Sequence, residues 1–282
     1  MSVSKFLRNA TALPVVFLFV ACLGVAMSAP AVENGQALWL DLVTENGDAA
    51  AAFYHQLFGW EIVERPGQSS IIRHQGRDIA ALFEIRDAIK DAPESQWLVG
   101  IVAENLENAV ASVRSNGGTI LRQITEVPDS GRYAVIRDPQ GALFVVGRPI
   151  RDIGGPREPG FFVWAELWSD DLDASAAFYN KVLGYQRGSV ERPNGSYSVF
   201  ETGGVPRTGL VATPNEDVKP VWAPYIGEAD VQAIVKRTPE LGGRVVLEPS
   251  DDHGGGRVAL IEDPSHAMIF VVQLSANEGG SR

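Results

Sequence analysis

The chain has 282 residues, of which 45% are hydrophobic and 21% charged, the balance of packed soluble domains rather than of a disordered protein. Its formal net charge is −11, and −13 without residues 1–28, whose only charges are Lys5 and Arg8. A surface this acidic, with no basic stripe interleaved with aromatics, excludes nucleic acid as a partner.

The chain opens on a targeting pattern: Lys5 and Arg8 precede an apolar run from Ala10 to Met27, and the first domain starts near residue 37. Residues 1–28 are therefore expected to direct export in a bacterium, to a periplasmic or membrane-anchored location. Three fates fit them: cleavage after Ser28, lipid attachment at Cys22 as in a bacterial lipoprotein, or retention as an uncleaved anchor. Phe19 departs from the leucine usual in a lipoprotein signal. Cys22 is the one cysteine, so the body has no disulfide framework, thiol nucleophile or cysteine zinc site.

Beyond residue 36 the chain is written twice. WLDLVTENGDAAAAFYHQLFGW from Trp39 returns as WAELWSDDLDASAAFYNKVLGY from Trp164, a displacement of 125. The same displacement carries Trp97 to Trp222, Gly117-Gly118 to Gly242-Gly243, and Asp138-Pro139 to Asp263-Pro264. A fainter spacing of 58 takes Trp39 to Trp97 and Gly59 to Gly117, so each copy is itself two modules.

Each module reads as a strand, an amphipathic helix closed by glycine, and about three further strands, an α+β organisation. The first strand alternates, with Trp39, Asp41 and Val43 on one face and Leu38, Leu40 and Leu42 on the other. In the helix after it, Asn46 or Asp48 caps the start, Phe53, Tyr54 and Leu57 form the buried stripe, and Gly59 closes the end. Asp173, Phe178, Tyr179, Val182 and Gly184 repeat that plan. The runs from Gly131 and from Gly256 each read as strand, Asp-Pro turn, strand. The expected domains are 37–149 and 161–275, with a linker at 150–160 that includes the GGPREPG run ending at Gly160, and a flexible tail at 276–282.

AxxFYxxxxG, the later GG, and the closing GRxAxxxDPxxAxxF resemble the vicinal oxygen chelate superfamily of glyoxalases, bleomycin-resistance proteins and extradiol dioxygenases. The resemblance covers nearly everything after residue 36. It implies two tandem domains, each a pair of βαβββ modules whose sheets curl round a cleft. It does not fix function, because the superfamily spans metalloenzymes and metal-free binding proteins.

The family's enzymes hold a divalent ion with His and Glu from the first and last strands of the modules. Those positions fall here at Trp39, about Leu98, and Val145, and in the second copy at Trp164, about Ala223, and Phe270. None of these side chains ligates a metal, so no metal and no other cofactor is expected. Glu84 is the one carboxylate near a ligand position. His55, His74 and His266 read as surface residues, and His253, beside Asp251 and Asp252, as part of a solvated loop.

The candidate site residues are Trp39 with Asp41, and Trp164 with Glu166, each pair two apart on a strand and so on one face. Asp41 or Glu166 could act as a general base or orient a ligand's amine or hydroxyl; alternatively, each is held by a backbone amide or by Arg132 or Arg257. Trp97 and Trp222 either line the clefts or fill the core. The glycines at 117, 242 and 254 are turns, since a phosphate loop would need a lysine and a serine or threonine.

Three functions follow: a metal-independent binder of a small, partly apolar molecule; a lyase, isomerase or dioxygenase-like enzyme using cleft carboxylates or a non-standard metal site; or a structural envelope component. Binding leads, because it needs no missing ligand residue. The expected partner is a small molecule, with membrane attachment only through the N-terminal segment. Domains that pair within one chain favour a monomer.

Overall fold

The structure, a computed structural model, describes residues 32–65, 69–84, 94–150, 154–192, 195–251 and 254–275. Cys22 with the rest of the segment expected to direct export, Asp252, His253 and residues 276–282 lie outside the described residues. Among the described residues, no helix is long and apolar enough to cross a membrane.

In the first repeat, β1 (Ala37–Thr44), α1 (Gly47–Phe58), β2 (Glu61–Val63), β3 (Ser70–His74) and β4 (Arg77–Glu84) form one module. β5 (Gln96–Val102), α2 (Leu106–Ser115), β6 (Thr119–Val127), β7 (Gly131–Arg137) and β8 (Leu143–Pro149) form the next. Together they make one eight-stranded sheet ordered β2-β3-β4-β1-β5-β8-β7-β6. The modules join where β1 and β5 run antiparallel, and β4 and β8 lie parallel to the strand that opens their module.

The second repeat follows the same plan with β9 (Phe162–Ser169), α3 (Leu172–Leu183), β10 (Gln186–Arg192), β11 (Gly195–Thr202) and β12 (Val205–Ala212). β13 (Val221–Glu228), α4 (Val231–Glu240), β14 (Arg244–Leu247), β15 (Val258–Glu262) and β16 (Met268–Gln273) complete it. Their sheet is ordered β10-β11-β12-β9-β13-β16-β15-β14, so two tandem domains share one topology.

The helix ends have local causes. Asn46 accepts a hydrogen bond from the Ala49 amide, Asp171 from the Asp173 and Ala174 amides, and Gly59 and Gly184 close their helices at φ 71° and 74°. Asp48 and Asp173 therefore sit in the first turn rather than at the cap, where their charge still favours the helix dipole. The strand alternation holds from Trp39 onward, but Leu38 packs with the cleft cluster because β1 carries a register shift between Ala37 and Trp39.

The motifs repeated at 125 meet across the two domains. Phe178 packs so closely on Gly118 that a Cβ there would lie 2.9 Å from its ring, and Phe53 stands 2.6 Å from the equivalent point on Gly243. The second glycine of each pair is thus a seat for the other domain's phenylalanine, while the first makes the turn, at φ 87° in Gly117 and 85° in Gly242. Tyr179 donates to Asp138 Oδ2 at 3.0 Å and accepts from Trp222 Nε1 at 2.8 Å. Reciprocally, Trp97 Nε1 donates to the Tyr54 hydroxyl at 2.8 Å, and Tyr54 faces Asp263 more loosely. Burial, reinforced by these carboxylates, pushes both tyrosine pKa values well above normal, so the hydroxyls stay protonated as donors. The helix-side faces of both sheets share this one core, which contains Trp97 and Trp222.

Candidate functional site

The cleft of the first domain lies on the opposite face of its sheet. It holds a cavity of about 320 Å³ lined by Trp39, Asp41, Phe83, Leu98, Tyr133 and Val145 among others, with Arg65, Asp78, Arg122 and Glu126 also on its wall. Trp39 is 4% exposed because its indole lies across Gly100, the residue paired with it in register. A Cβ on Gly100 would stand 1.9 Å from Trp39 Cε2. Gly147 seats Tyr133 in the same way, at 2.3 Å, and the two rings meet edge to face at 5.1 Å.

Asp41 stands between Trp39 and Val43 on this wall. Burial raises its pKa from 3.8 to about 7, and hydrogen bonds from the Trp39 side chain and the Ala81 backbone only partly counter this. The expected alternative of an arginine partner fails. Arg132 pairs instead with Glu107 at 2.6 Å, and Arg257 donates to Ser275 at 2.6 Å. Asp78 on the same wall is a different case, being bound by Arg73 at 2.7 Å.

Glu166 is equivalent to Asp41 in sequence but not in surroundings. It is 8% exposed and accepts from Tyr197 at 2.5 Å, Tyr225 at 2.7 Å and Trp168 Nε1 at 3.3 Å. Trp164 Nε1 in turn donates to the Tyr197 hydroxyl at 2.9 Å. Burial first, then the Glu166 charge, drives both tyrosine pKa values upward, which keeps them donors. Glu166 is thus engaged by its own domain and is not free as a base.

Three positions account for the contrast, identified through register. Tyr225 pairs with Trp164 as Gly100 pairs with Trp39, and Phe270 neighbours Tyr225 as Val145 neighbours Gly100. Tyr197 occupies the strand position of Ser69, two residues before Val199, which faces Gly209 as Ile71 faces Ala81. Small or short side chains leave the first cleft open, and rings occupy the second, Tyr225 and Phe270 stacking at 4.5 Å and 8°. Sequence reading missed Tyr133, Tyr197, Tyr225 and Trp168. Trp168 was recoverable, since it stands two residues beyond Glu166 on the same face.

Other candidates fall elsewhere. Trp97 and Trp222 line neither cleft; they are 2% and 1% exposed in the shared core. Glu84 lies by the start of α1, its Oε1 3.1 Å from where a Gly47 Cβ would be, because it alternates away from Phe83 on the cleft wall. His55 bonds the Trp60 carbonyl at 2.8 Å, and His266 bonds Glu262 at 2.6 Å. His74 is half-buried rather than a surface residue, because the β3–β4 turn reaches the segment before β9, where it meets the Pro159 carbonyl at 3.1 Å and the Phe161 ring at 4.9 Å.

The family's metal positions, tested on side-chain chemistry, do not fit a divalent ion. Trp39, Leu98 and Val145 converge in the first cleft, and Trp164, Ala223 and Phe270 occupy the second, none with a lone pair suited to coordination. Among the described residues, no group of three or more His, Cys, Asp or Glu side chains is placed to hold a metal.

Comparison with known proteins agrees with this architecture. The chain is 30% identical over 249 residues to a Mycobacterium bovis protein named "Putative glyoxylase CFP32", covering 86% of this chain and 95% of that one. It is also 30% identical over 259 residues to the "Anthracycline biosynthesis protein DauV" of Streptomyces sp. (strain C5), covering 85% and 94%. Among solved structures it resembles the Mn(II)-bound glyoxalase from Novosphingobium aromaticivorans, with a TM-score of 0.59, 16% identity, and 86% and 83% of the two chains covered. The 2,3-dioxygenase LapB from Pseudomonas sp. KL28 gives a TM-score of 0.60 at 14% identity, with 87% and 94% covered. The family profile matches residues 36–146 and again 162–271, and the chain therefore belongs, in both of its halves, to the Glyoxalase/Bleomycin resistance protein/Dioxygenase superfamily.

Proposed function

We propose that this is an exported, metal-independent binding protein that takes a small, partly apolar molecule into the cleft of its first domain. One observation carries the reading: side chains without coordinating lone pairs stand at the metal positions of an open cavity of about 320 Å³, a size suited to small ligands. Trp39 and Tyr133 supply ring faces to an apolar ligand body, and Asp41 supplies an acceptor for an amine or hydroxyl. The relative named for anthracycline biosynthesis supports trying polycyclic aromatics first. Elemental analysis of the purified mature protein tests metal independence; a near-stoichiometric divalent ion that survives dialysis would overturn it. Ligands are to be sought by quenching of tryptophan fluorescence.

Asp41→Asn separates the roles of this carboxylate. A folded-state pKa of about 7 against 3.8 means the unfolded chain loses the proton first as pH rises. Stability from this group is intact below about pH 4, declines through about pH 7 and stays reduced above it. The whole shift corresponds to about 4 kcal/mol; partial exposure, and Trp39 and Ala81 hydrogen bonds weakened by acceptance at an uncharged amide oxygen, reduce the expected gain of Asp41→Asn to about 2 kcal/mol at pH 8. At pH 4 the gain is expected to vanish. Ligand affinity at pH 8 is expected to fall at least about tenfold, the loss of one charge-assisted hydrogen bond. Melting curves at both pH values, with a fluorescence titration, check the three outcomes together.

A second reading is favoured by the same Asp41 pKa, which lies where a general base works best near neutral pH. On that reading the protein is a lyase or isomerase, and turnover of an identified ligand rises with pH through about 7. Asp41→Asn then abolishes turnover while the ligand still binds.

Export rests on the segment before residue 28, with Cys22 as the lipidation candidate. Cys22→Ala is expected to move the protein from the membrane fraction to the soluble periplasm if the thiol carries lipid. An unchanged distribution, with an intact mass starting at Ala29, would assign simple cleavage instead.

A further inference from the structure

The filled second cleft has a composition that its structural role does not require. Glu166 is more than nine-tenths buried, yet among the described residues no Lys, Arg or His lies within ion-pair distance of its carboxylate. Its neutral donors, two phenols and an indole, satisfy its lone pairs without cancelling its charge. Around it stand the rings of Trp168, Tyr197, Tyr225 and Phe270, with the two tyrosines and Trp168 partly buried at the mouth. Gly209 forms the floor: a Cβ there would fall 2.0 Å from the Tyr197 hydroxyl and 2.7 Å from Glu166 Cγ, so only glycine admits both. The negative face of the Tyr197 ring, next to an uncancelled carboxylate, attracts a cation with a poorly hydrated charge.

One cation is already there. The Arg192 guanidinium carbon lies 3.4 Å from the centre of the Tyr197 ring, carried by the exposed end of β10. Its side chain reaches in from solvent, so displacing it breaks no core packing.

We propose that the second cleft is a binding site for a small organic cation of the alkylammonium or quaternary ammonium class, whose charge replaces that of Arg192 over the Tyr197 ring, with the Glu166 carboxylate beneath as counter-charge. This site is independent of the first cleft and of the ligand sought there. Arg192 is its internal competitor, which gives the proposal a signature that a simple structural cluster lacks: removing a positively charged side chain from the mouth strengthens binding.

The test uses choline as probe and its neutral carbon isostere, 3,3-dimethylbutan-1-ol, as control, titrated against tryptophan fluorescence of the full mature protein. Saturable quenching by choline is expected, at least tenfold tighter in Arg192→Ala than in the unaltered protein, with the isostere binding at least thirtyfold more weakly to both. Arg192 is exposed, so this variant keeps the melting temperature and remains interpretable. Glu166→Gln, which keeps the shape and removes the charge, is expected to abolish the preference for choline over the isostere. The proposal is overturned if Arg192→Ala leaves choline affinity unchanged or absent, if the isostere binds as well as choline, or if Tyr197→Leu in the Arg192→Ala background, melting as a folded protein, retains the quenching.

Discussion

Replacing Gly100 by alanine is expected to destabilise the protein by about 3 kcal/mol and to weaken ligand binding in the first cleft. Gly100 lies on β5, between β1 and β8 in the middle of the sheet, so the backbone cannot retreat. A methyl carbon at its Cβ would stand 1.9 Å from Trp39 Cε2 and 2.2 Å from Cδ2, well inside contact distance. The indole must therefore rotate, and Tyr133, packed edge-on against it, blocks one side. Its remaining direction is into the cavity. Overpacking of a well-filled wall costs roughly 1–3 kcal/mol, and the upper end applies because an aromatic pair is broken as well. For a protein of this size the melting temperature is expected to drop by about 6–12 °C, and ligand quenching to weaken by more than about tenfold. A Gly100→Ala protein that melts within about 2 °C of the original and still binds would show that Trp39 does not need its glycine seat.

Asp138→Ala is expected to cost a similar amount through a different mechanism. Asp138 Oδ1 accepts from the Gln140 and Ala142 amides, both at 2.9 Å, and Oδ2 from Tyr179 across the domain boundary. Two effects oppose each other. Burial raises the pKa of this carboxyl, so its charge is held at a cost, and alanine relieves that cost. Alanine also strands three donors, each costing roughly 1–3 kcal/mol when buried without a partner. The stranded donors win, for a net loss of about 3 kcal/mol. Asp138→Asn distinguishes the two terms: its carbonyl still serves the turn, but its amide cannot accept the Tyr179 proton while Trp222 already donates to that hydroxyl, so one buried donor instead of three is stranded and a loss of about 1–2 kcal/mol is expected. Denaturant titrations of both variants decide it, and equal losses for alanine and asparagine would mean that charge, not hydrogen bonding, is what the site needs.

These two residues mark how far the sequence could be read. The duplication, the two-module plan and the alternation that puts Trp39 and Asp41 together were legible because they depend on spacing along one strand or helix. The cap of the first helix was narrowed to Asn46 or Asp48, and that of α3 slipped by two residues, from Asp173 to Asp171, because several adjacent polar side chains were competent and only backbone geometry chose among them. Trp97 and Trp222 illustrate a different limit. A lone tryptophan on a strand carries no mark of which face is the core, and the choice was made by Tyr54 and Tyr179 waiting as hydrogen-bond partners on the helix side. The paired glycines and the Asp-Pro turns were read as local punctuation. They are also contacts between domains, since each receives an aromatic side chain from the other copy.

Spacing along the chain thus carried the family, the tandem plan and the absence of coordinating side chains at the metal positions, all of which follow from residue identity at fixed intervals. Whether a cleft is open, and whether its carboxylate is free, did not follow from those intervals. Asp41 and Glu166 occupy matching places, yet one faces a cavity and the other is bound by two phenols and an indole. The difference lies in side chains contributed by strands remote in sequence, glycine against tyrosine and valine against phenylalanine. Space on a concave sheet is set by every strand that borders it, so it comes into being only when those strands are assembled.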